Sequence, residues 1–362
     1  MRNKRIKKKR FQERQFKRVF LYQVKRKIYL KGLRKKREPE IIKRRKSLRF
    51  ISNPLKAEHE RCIAPEVFSL IKNPDAVINY FDHARQVLAK GTPVYFDLSN
   101  ITEMGPETLT YLCAILDNDE FINGNAIHGN LPNNPSLQKM FSKAGFYKFV
   151  NPIYQRIQKS TDVNGEIHKI TREKVEPMLA GEICESAMIH TFDKIDPKDQ
   201  SFYRILIECM ANTKNHANYG KRNEVYNWWL LAYKEADTKI TKFCFLDLGV
   251  GIFGSLEKKY RENKLPSFLK RIFVPKNNKK TLQKIYEGER KTSTEGLEGR
   301  GQGLNYVYDL VKKDATICNF TLLSNDIIAH FGYNAEDTIE PQGNDFVGTM
   351  YYWEISPNYE KN

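Results

Sequence analysis

Glu208, Asn212 and His216 stand four residues apart within residues 204–218. On a helix this spacing stacks a carboxylate, a carboxamide and an imidazole on one face, in a stripe about two turns long. Ile205, Leu206 and Cys209 recur at helical spacing and would face a core. An Asn oxygen suits a hard cation such as Mg2+, which takes few protein ligands and keeps water and bound phosphate. A Glu one turn earlier can orient or deprotonate a nucleophile beside that metal. The same spacing also suits a solvated helix face, so the stripe alone leaves both readings open.

Two glycine-rich stretches follow it. An apolar strand, residues 243–246, runs into Asp247, Gly249, Gly251 and Ile252. A carboxylate at a strand end accepts a hydrogen bond from an exocyclic amine such as adenine N6. Glycines let the backbone approach a ligand closely. Later, Gly299, Gly301 and Gly303 open a helix that continues through Leu304 to Val311. Backbone N–H groups at such a start cradle phosphate, helped by the positive end of the helix dipole. Either glycine cluster alone also makes an ordinary turn. Together they stand in the order helix, strand-glycine, long insert, glycine-helix.

In this order the chain resembles the GHKL ATP-binding fold shared by gyrase, MutL, the large heat-shock chaperones and histidine kinases. The pattern is most similar to the anti-sigma-factor serine kinases. Glu208, Asn212 and His216 match the family's N box. Asp247, Gly249 and Gly251 match its first glycine box. Gly299, Gly301, Gly303 and Leu304 match the second. Gly348 and Thr349 resemble the start of the closing strand, whose Thr lies near adenine. The resemblance covers roughly residues 195–357. It implies ATP and Mg2+ as cofactors, Asn212 on the metal, Asp247 and Thr349 at adenine, and glycine backbones around the phosphates. His216, Ile252, Gly301 and Leu304 fall in the same boxes and join the expected binding set. Glu208 is the implied general base. A mobile lid is expected over about 253–298, with Lys291 or Arg300 reaching the γ-phosphate; a solvated surface charge is the competing reading for both, and suits Lys291 better than a ligand role.

The elements that must hold these residues follow from local pattern. Residues 225–233 and 239–248 read as a hairpin turning at 235–237. Trp228 and Trp229 point to opposite faces of such a strand and are read as core and surface packing. Residues 315–324 and 326–331 read as a second hairpin around Asn325 and Asp326, and 349–355 closes the sheet. The expected fold class is α/β: a GHKL two-layer sandwich over 196–358, with a mixed, mostly antiparallel sheet and helices on one face.

Residues 51–155 read as a separate small α/β unit. A helix over about 73–90 stops at Gly91, and a short strand covers 93–99. A helix over 109–116, a strand at 126–129 and a helix from Asn134 to Gly145 follow. Alternating strands and helices predict a mainly parallel sheet. The run from Val94 to Thr102, then Ile127 to Pro132 and the helix ending at Phe146, resembles a STAS domain, the fold of anti-anti-sigma factors. One departure matters. STAS proteins carry a phosphorylated Ser in the loop after that strand, whereas this loop reads Thr102-Glu-Met-Gly105-Pro106-Glu107. A structural or docking role fits better than an internal kinase acceptor. Residues 156–195 form a connector, with a weak strand at 167–175 and a short helix from Pro177.

Charge sets the first 50 residues apart. They hold 23 Lys and Arg against three Glu, a net of +20, while the remaining 312 residues net −2. Phe11, Phe16, Phe20, Tyr22, Tyr29 and Phe50 interleave this arm. Lys and Arg bind phosphates through charge and counterion release, and aromatics stack on bases, so nucleic acid is the expected partner of residues 1–50. An anionic membrane surface and a plain solvated extension are the competing readings. No apolar run reaches membrane-spanning length, and no secretory signal pattern follows the basic start. Six scattered cysteines read as reduced core thiols of a cytoplasmic protein. The remaining histidines read as structural or exposed.

The expectation is therefore a cytoplasmic GHKL-type ATPase with a regulatory role, brought to nucleic acid by its arm. Nucleotide would drive lid closure, with a homodimer as one assembly open to it. The alternatives are a serine/threonine kinase acting on a separate STAS-like partner and an ATP-gated binder without turnover.

Overall fold

Residues 59–122, 127–150, 168–171, 175–195, 201–216, 227–235, 237–265, 267–288 and 303–357 are described by the computed structural model. The basic arm, and with it the expected nucleic-acid contact, lies outside them.

The N-terminal lobe runs β1 (Glu60–Ile63), β2 (Val67–Phe68), α1 (Pro74–Ala89), β3 (Val94–Asp97), β4 (Glu103–Met104), α2 (Pro106–Leu116), α3 (Asp119–Ile122), β5 (Ile127–Gly129), α4 (Pro135–Lys143) and α5 (Tyr147–Val150). Proline opens α1, α2 and α4. At a helix start its fixed φ is already right and its missing N–H has no partner to lose. Asn134 adds a side-chain cap to α4, accepting the Ser136 N–H at 2.9 Å. Just past α1, Gly91 takes φ +81. Strands β1, β3 and β5 form the expected parallel sheet, in that order.

Helix α2 is buried on every side from Pro106 to Ile115. Such a helix must lie between two layers. It packs against β7 (Asn227–Lys234) and β8 (Thr241–Asp247) of the second lobe.

The second lobe holds β6 (His168–Thr171), α6 (Pro177–Phe192), α7 (Ser201–His216), β7, β8, α8 (Gly251–Arg261), α9 (Ser267–Ile272), α10 (Asn278–Gly288), α11 (Gly303–Lys313), β9 (Ile317–Phe331) and β10 (Thr338–Ile355). The sheet order is β6-β7-β8-β10-β9.

Three expectations are corrected here. The sheet is not mixed: every described strand pair in it runs antiparallel, because it is assembled from hairpins. Nor do Asn325 and Asp326 turn a hairpin. Strand β9 continues through them, with Asn325 at φ +52 and a register shift at its pair with Phe346. Their polar side chains make cross-chain bonds instead of reversing the chain. The reversal comes at residues 332–335, where Asn334 takes φ +51. Finally, neither tryptophan packs at a surface: the described helices of 196–358 lie on one face of the sheet, as expected, and the N-terminal lobe covers the other. Trp228 and Trp229 do point to opposite faces, but both are buried, at 1% and 2% exposure. Trp228 packs under α6, α7 and α11. Trp229, Leu231, Cys244, Leu246, Met350 and Tyr352 instead share one core with Phe81, Phe96 and Tyr111 of the N-terminal lobe. The tie extends to the irregularity in β10 between Pro341 and Phe346, where the Gly343 N–H reaches Asp75 at 2.9 Å and the Phe346 ring packs at a tilt against Tyr111, 4.9 Å between centres.

Within the expected lid span, Leu282, Ile285 and Tyr286 of α10 belong to the core beneath the sheet, and Tyr286 stacks on Tyr308 at 4.3 Å. All six cysteines are buried thiols. Among the described residues no helix is long and apolar enough to cross a membrane.

Candidate functional site

Helix α7 buries Phe202, Ile205, Leu206, Cys209, Met210 and Thr213. This leaves Glu208 and Asn212 half-buried at the edge of that face. Gly303, the first residue of α11, lies against both. A Cβ built there would stand 2.8 Å from Glu208 Oε2 and 3.0 Å from Asn212 Oδ1. The two helices are also joined by Arg204, whose guanidinium donates to the Tyr306 hydroxyl at 2.9 Å. The Asn212 amide group reaches the buried Tyr351 hydroxyl at 3.5 Å, a long contact. Burial raises the pKa of Glu208 from its ordinary value.

One residue further along α7, Thr213 reaches the end of β8. Its hydroxyl lies 3.1 Å from Asp247 Oδ2 and 3.2 Å from the Cys209 carbonyl. The other Asp247 oxygen accepts the Gly249 N–H at 2.9 Å. Asp247 is 7% exposed. Burial pushes its pKa up to about 6, against the opposing pull of the Gly249 and Thr213 hydrogen bonds. Thr349 sits directly across the ladder from Asp247. Gly348 makes that approach feasible: at φ +103, a Cβ there would stand 1.9 Å from the Asp247 carbonyl oxygen.

Gly251, at φ +75, opens α8. Ile252 and Leu304 are partly buried and pack against the core under the sheet. The chain thus brings Glu208, Asn212 and Gly303 into one cluster and Asp247, Gly249 and Thr349 into another. Asn212 and Thr213 are consecutive, so α7 holds the two clusters together. His216 ends α7, but its side chain lies outside the described residues, as do Lys291, Arg300 and Gly301.

Several residues escaped the sequence reading. Thr213 positions Asp247, and Ser324 and Asn325 bond to the first glycine motif from β9. Asn305 is buried in the first turn of α11, and its Oδ1 has no hydrogen-bond partner among the described residues. Only Thr213 carried a signal, as the residue after Asn212. Two clefts of about 480 and 490 Å3 lie elsewhere, beside Tyr286 and Tyr308 and beside Tyr80 and His83. Neither is lined by Glu208, Asn212 or Asp247.

No family model, curated protein or solved structure matches the chain.

Proposed function

We propose that residues 196–358 form a Mg2+-dependent ATP-binding unit of the GHKL type, working as an ATPase with a regulatory role. The observation that carries this reading is the meeting of Gly303 with Glu208 and Asn212, at 2.8 and 3.0 Å from a Cβ that glycine lacks. A larger residue at this position would crowd both side chains beside the helix start. The first N–H groups of an α-helix have no intrahelical acceptor and favour an anion. Asn212 offers its carboxamide oxygen at the same place, where Mg2+ held by phosphates and water needs few protein ligands. When bound, the metal offsets phosphate charge.

At the other cluster, Asp247 and Thr349 offer oxygens to an exocyclic amine of a base. Glu208 stands beside the phosphate end with its proton affinity raised by burial. That shift moves a carboxylate toward the range where it takes a proton from water efficiently at neutral pH.

The same Glu208 would equally accept a proton from a protein hydroxyl, as in a kinase acting on a STAS-like partner. Such a partner would be a separate chain. The corresponding loop of this protein's own N-terminal lobe is closed off, with Pro106 and Glu107 both buried. The basic arm, net +20, supports nucleic acid as the partner to which it brings the protein.

The test is ATP binding and phosphate release by the wild type, Glu208→Ala and Asn212→Ala, with and without Mg2+. The reading requires hydrolysis by the wild type, binding without turnover in Glu208→Ala, and loss of Mg2+-dependent binding in Asn212→Ala. Tight binding without phosphate release would favour the kinase or the ATP-gated binder. No ATP binding would end the reading.

A further inference from the structure

Strand β9 carries Ser324, Asn325 and Asp326 at its kink: Ser324 and Asn325 bond to the start of α8, Ser324 also to β10, and Asp326 to α10. Ser324 is fully buried. Its Oγ accepts the Ile252 N–H at 2.9 Å, donates to the Gly348 carbonyl at 3.0 Å and lies 3.2 Å from Thr349 Oγ1. A serine hydroxyl has one proton. With that proton on the Gly348 carbonyl, Thr349 is the donor in the last contact.

Asn325 Oδ1 accepts the N–H groups of Phe253 and Gly254 at 3.1 and 3.4 Å, and its Nδ2 donates to the Val250 carbonyl at 3.1 Å. It occupies the place of the missing Gly251 side chain, where a Cβ would stand 2.2 Å from Oδ1. Asp326 Oδ1 accepts from Asn278 of α10 at 2.5 Å. Helix α8 has no side-chain cap at its own N-cap residue, Val250. Its start is capped across the chain, from β9. The N–H groups of Ile252, Phe253 and Gly254 are therefore spoken for by protein.

We infer that Ser324 and Asn325 are positioning residues for base recognition, fixing the first glycine loop against β10 so that Asp247 and Thr349 present acceptors only. The inference rests on the ATP reading above. Asp247 accepts from Thr213 and Gly249, and with the Ser324 proton assigned to the Gly348 carbonyl, Thr349 donates to Ser324. What remains toward a base is a row of lone pairs, which suits an amine such as adenine N6 and repels a keto oxygen such as guanine O6.

Two variants test this. Ser324→Ala frees the Thr349 proton. Asn325→Gly removes the cap, and glycine adopts φ +52 without strain. Amide hydrogen exchange is read first, on the protein without nucleotide. Faster exchange is expected at Ile252 in Ser324→Ala and at Phe253 and Gly254 in Asn325→Gly, with the centre of the sheet unchanged. Dissociation constants for ATP, GTP and inorganic tripolyphosphate are read next. Ser324→Ala should lower the ATP-over-GTP preference about fivefold, the worth of one ordinary hydrogen bond, and leave tripolyphosphate affinity alone. Equal losses for all three ligands, or a preference that does not change, would overturn the inference and leave the two residues a purely structural role. Failure of the wild type to bind ATP would overturn the nucleotide reading and this inference with it. Wild-type binding with an unchanged variant ratio overturns this inference alone.

Discussion

The α-carbon of Gly303 faces the Glu208 carboxylate, 95 positions earlier in the chain, at a spacing that leaves 2.8 Å between a Cβ and Oε2. Both groups near that point, Glu208 and Asn212, are ends of flexible side chains, so Gly303→Ala should still fold. Alanine also favours the helix by up to about 1 kcal/mol. The new methyl would push both side chains aside. The expected outcome is an unchanged or raised Tm together with at least a roughly tenfold weaker Kd for Mg-ATP, about 1.4 kcal/mol. Calorimetric titration beside a thermal melt checks both halves.

Asp247 makes a pH prediction. Burial raises its pKa from the ordinary 3.8 to about 6. The folded state therefore holds this proton more tightly than the unfolded chain. The stability it contributes is full below pH 4 or so and is lost as pH rises through about 6. Asp247→Asn imitates the protonated form. It should melt higher than the wild type at pH 7–8, by a few degrees, and the two should converge near pH 4. On the proposed function, ATP affinity has the opposite sign, because a base held at Asp247 needs the ionised acceptor. Wild-type affinity should fall as pH drops below about 6, and Asp247→Asn should bind weakly throughout. A melt series and a Kd series over pH 4–8 measure the two trends.

Trp229 joins the lobes. It is 2% exposed in the core that also holds Phe81 and Tyr111. Trp229→Ala should cost about 3–5 kcal/mol. Because one core serves both lobes, the loss should appear in a single transition. Tryptophan fluorescence and far-UV circular dichroism should give coincident denaturation midpoints in the wild type. Two separated transitions would contradict this.

The arm makes a separate prediction. Deleting residues 1–46 should abolish salt-sensitive nucleic-acid binding and leave ATP binding intact. With the arm present, log K should fall steeply with log salt, at about −0.9 per phosphate contacted on duplex DNA. Unchanged nucleic-acid affinity after the deletion would refute the assignment.

Much of the fold was legible because it rests on local rules. Proline and glycine punctuate α1 and α4, and strands β3, β5, β7 and β8 read directly from their apolar runs. Strand β1 was missed because only Cys62 is buried in its four residues. Asn325 and Asp326 look like turn residues, and φ +52 at Asn325 is indeed a turn-like conformation. What kept the strand running was the need of a distant helix start for a cap, and no local pattern records that. The meeting of Gly303 with Glu208 and Asn212 followed from motif order. The Ser324 contacts did not, because a serine inside an apolar strand gives no sign of four partners.

Strand β8 has a last consequence. Phe243 and Phe245 face one core, and Cys244 and Leu246 face the other, all at 0% exposure. A sheet with one wet face tolerates polar replacements at every second position. A saturation substitution map of residues 243–246 should show no such alternation. Both parities should reject charge, and the strand that ends in Asp247 should be as intolerant on the side away from the site as on the side toward it.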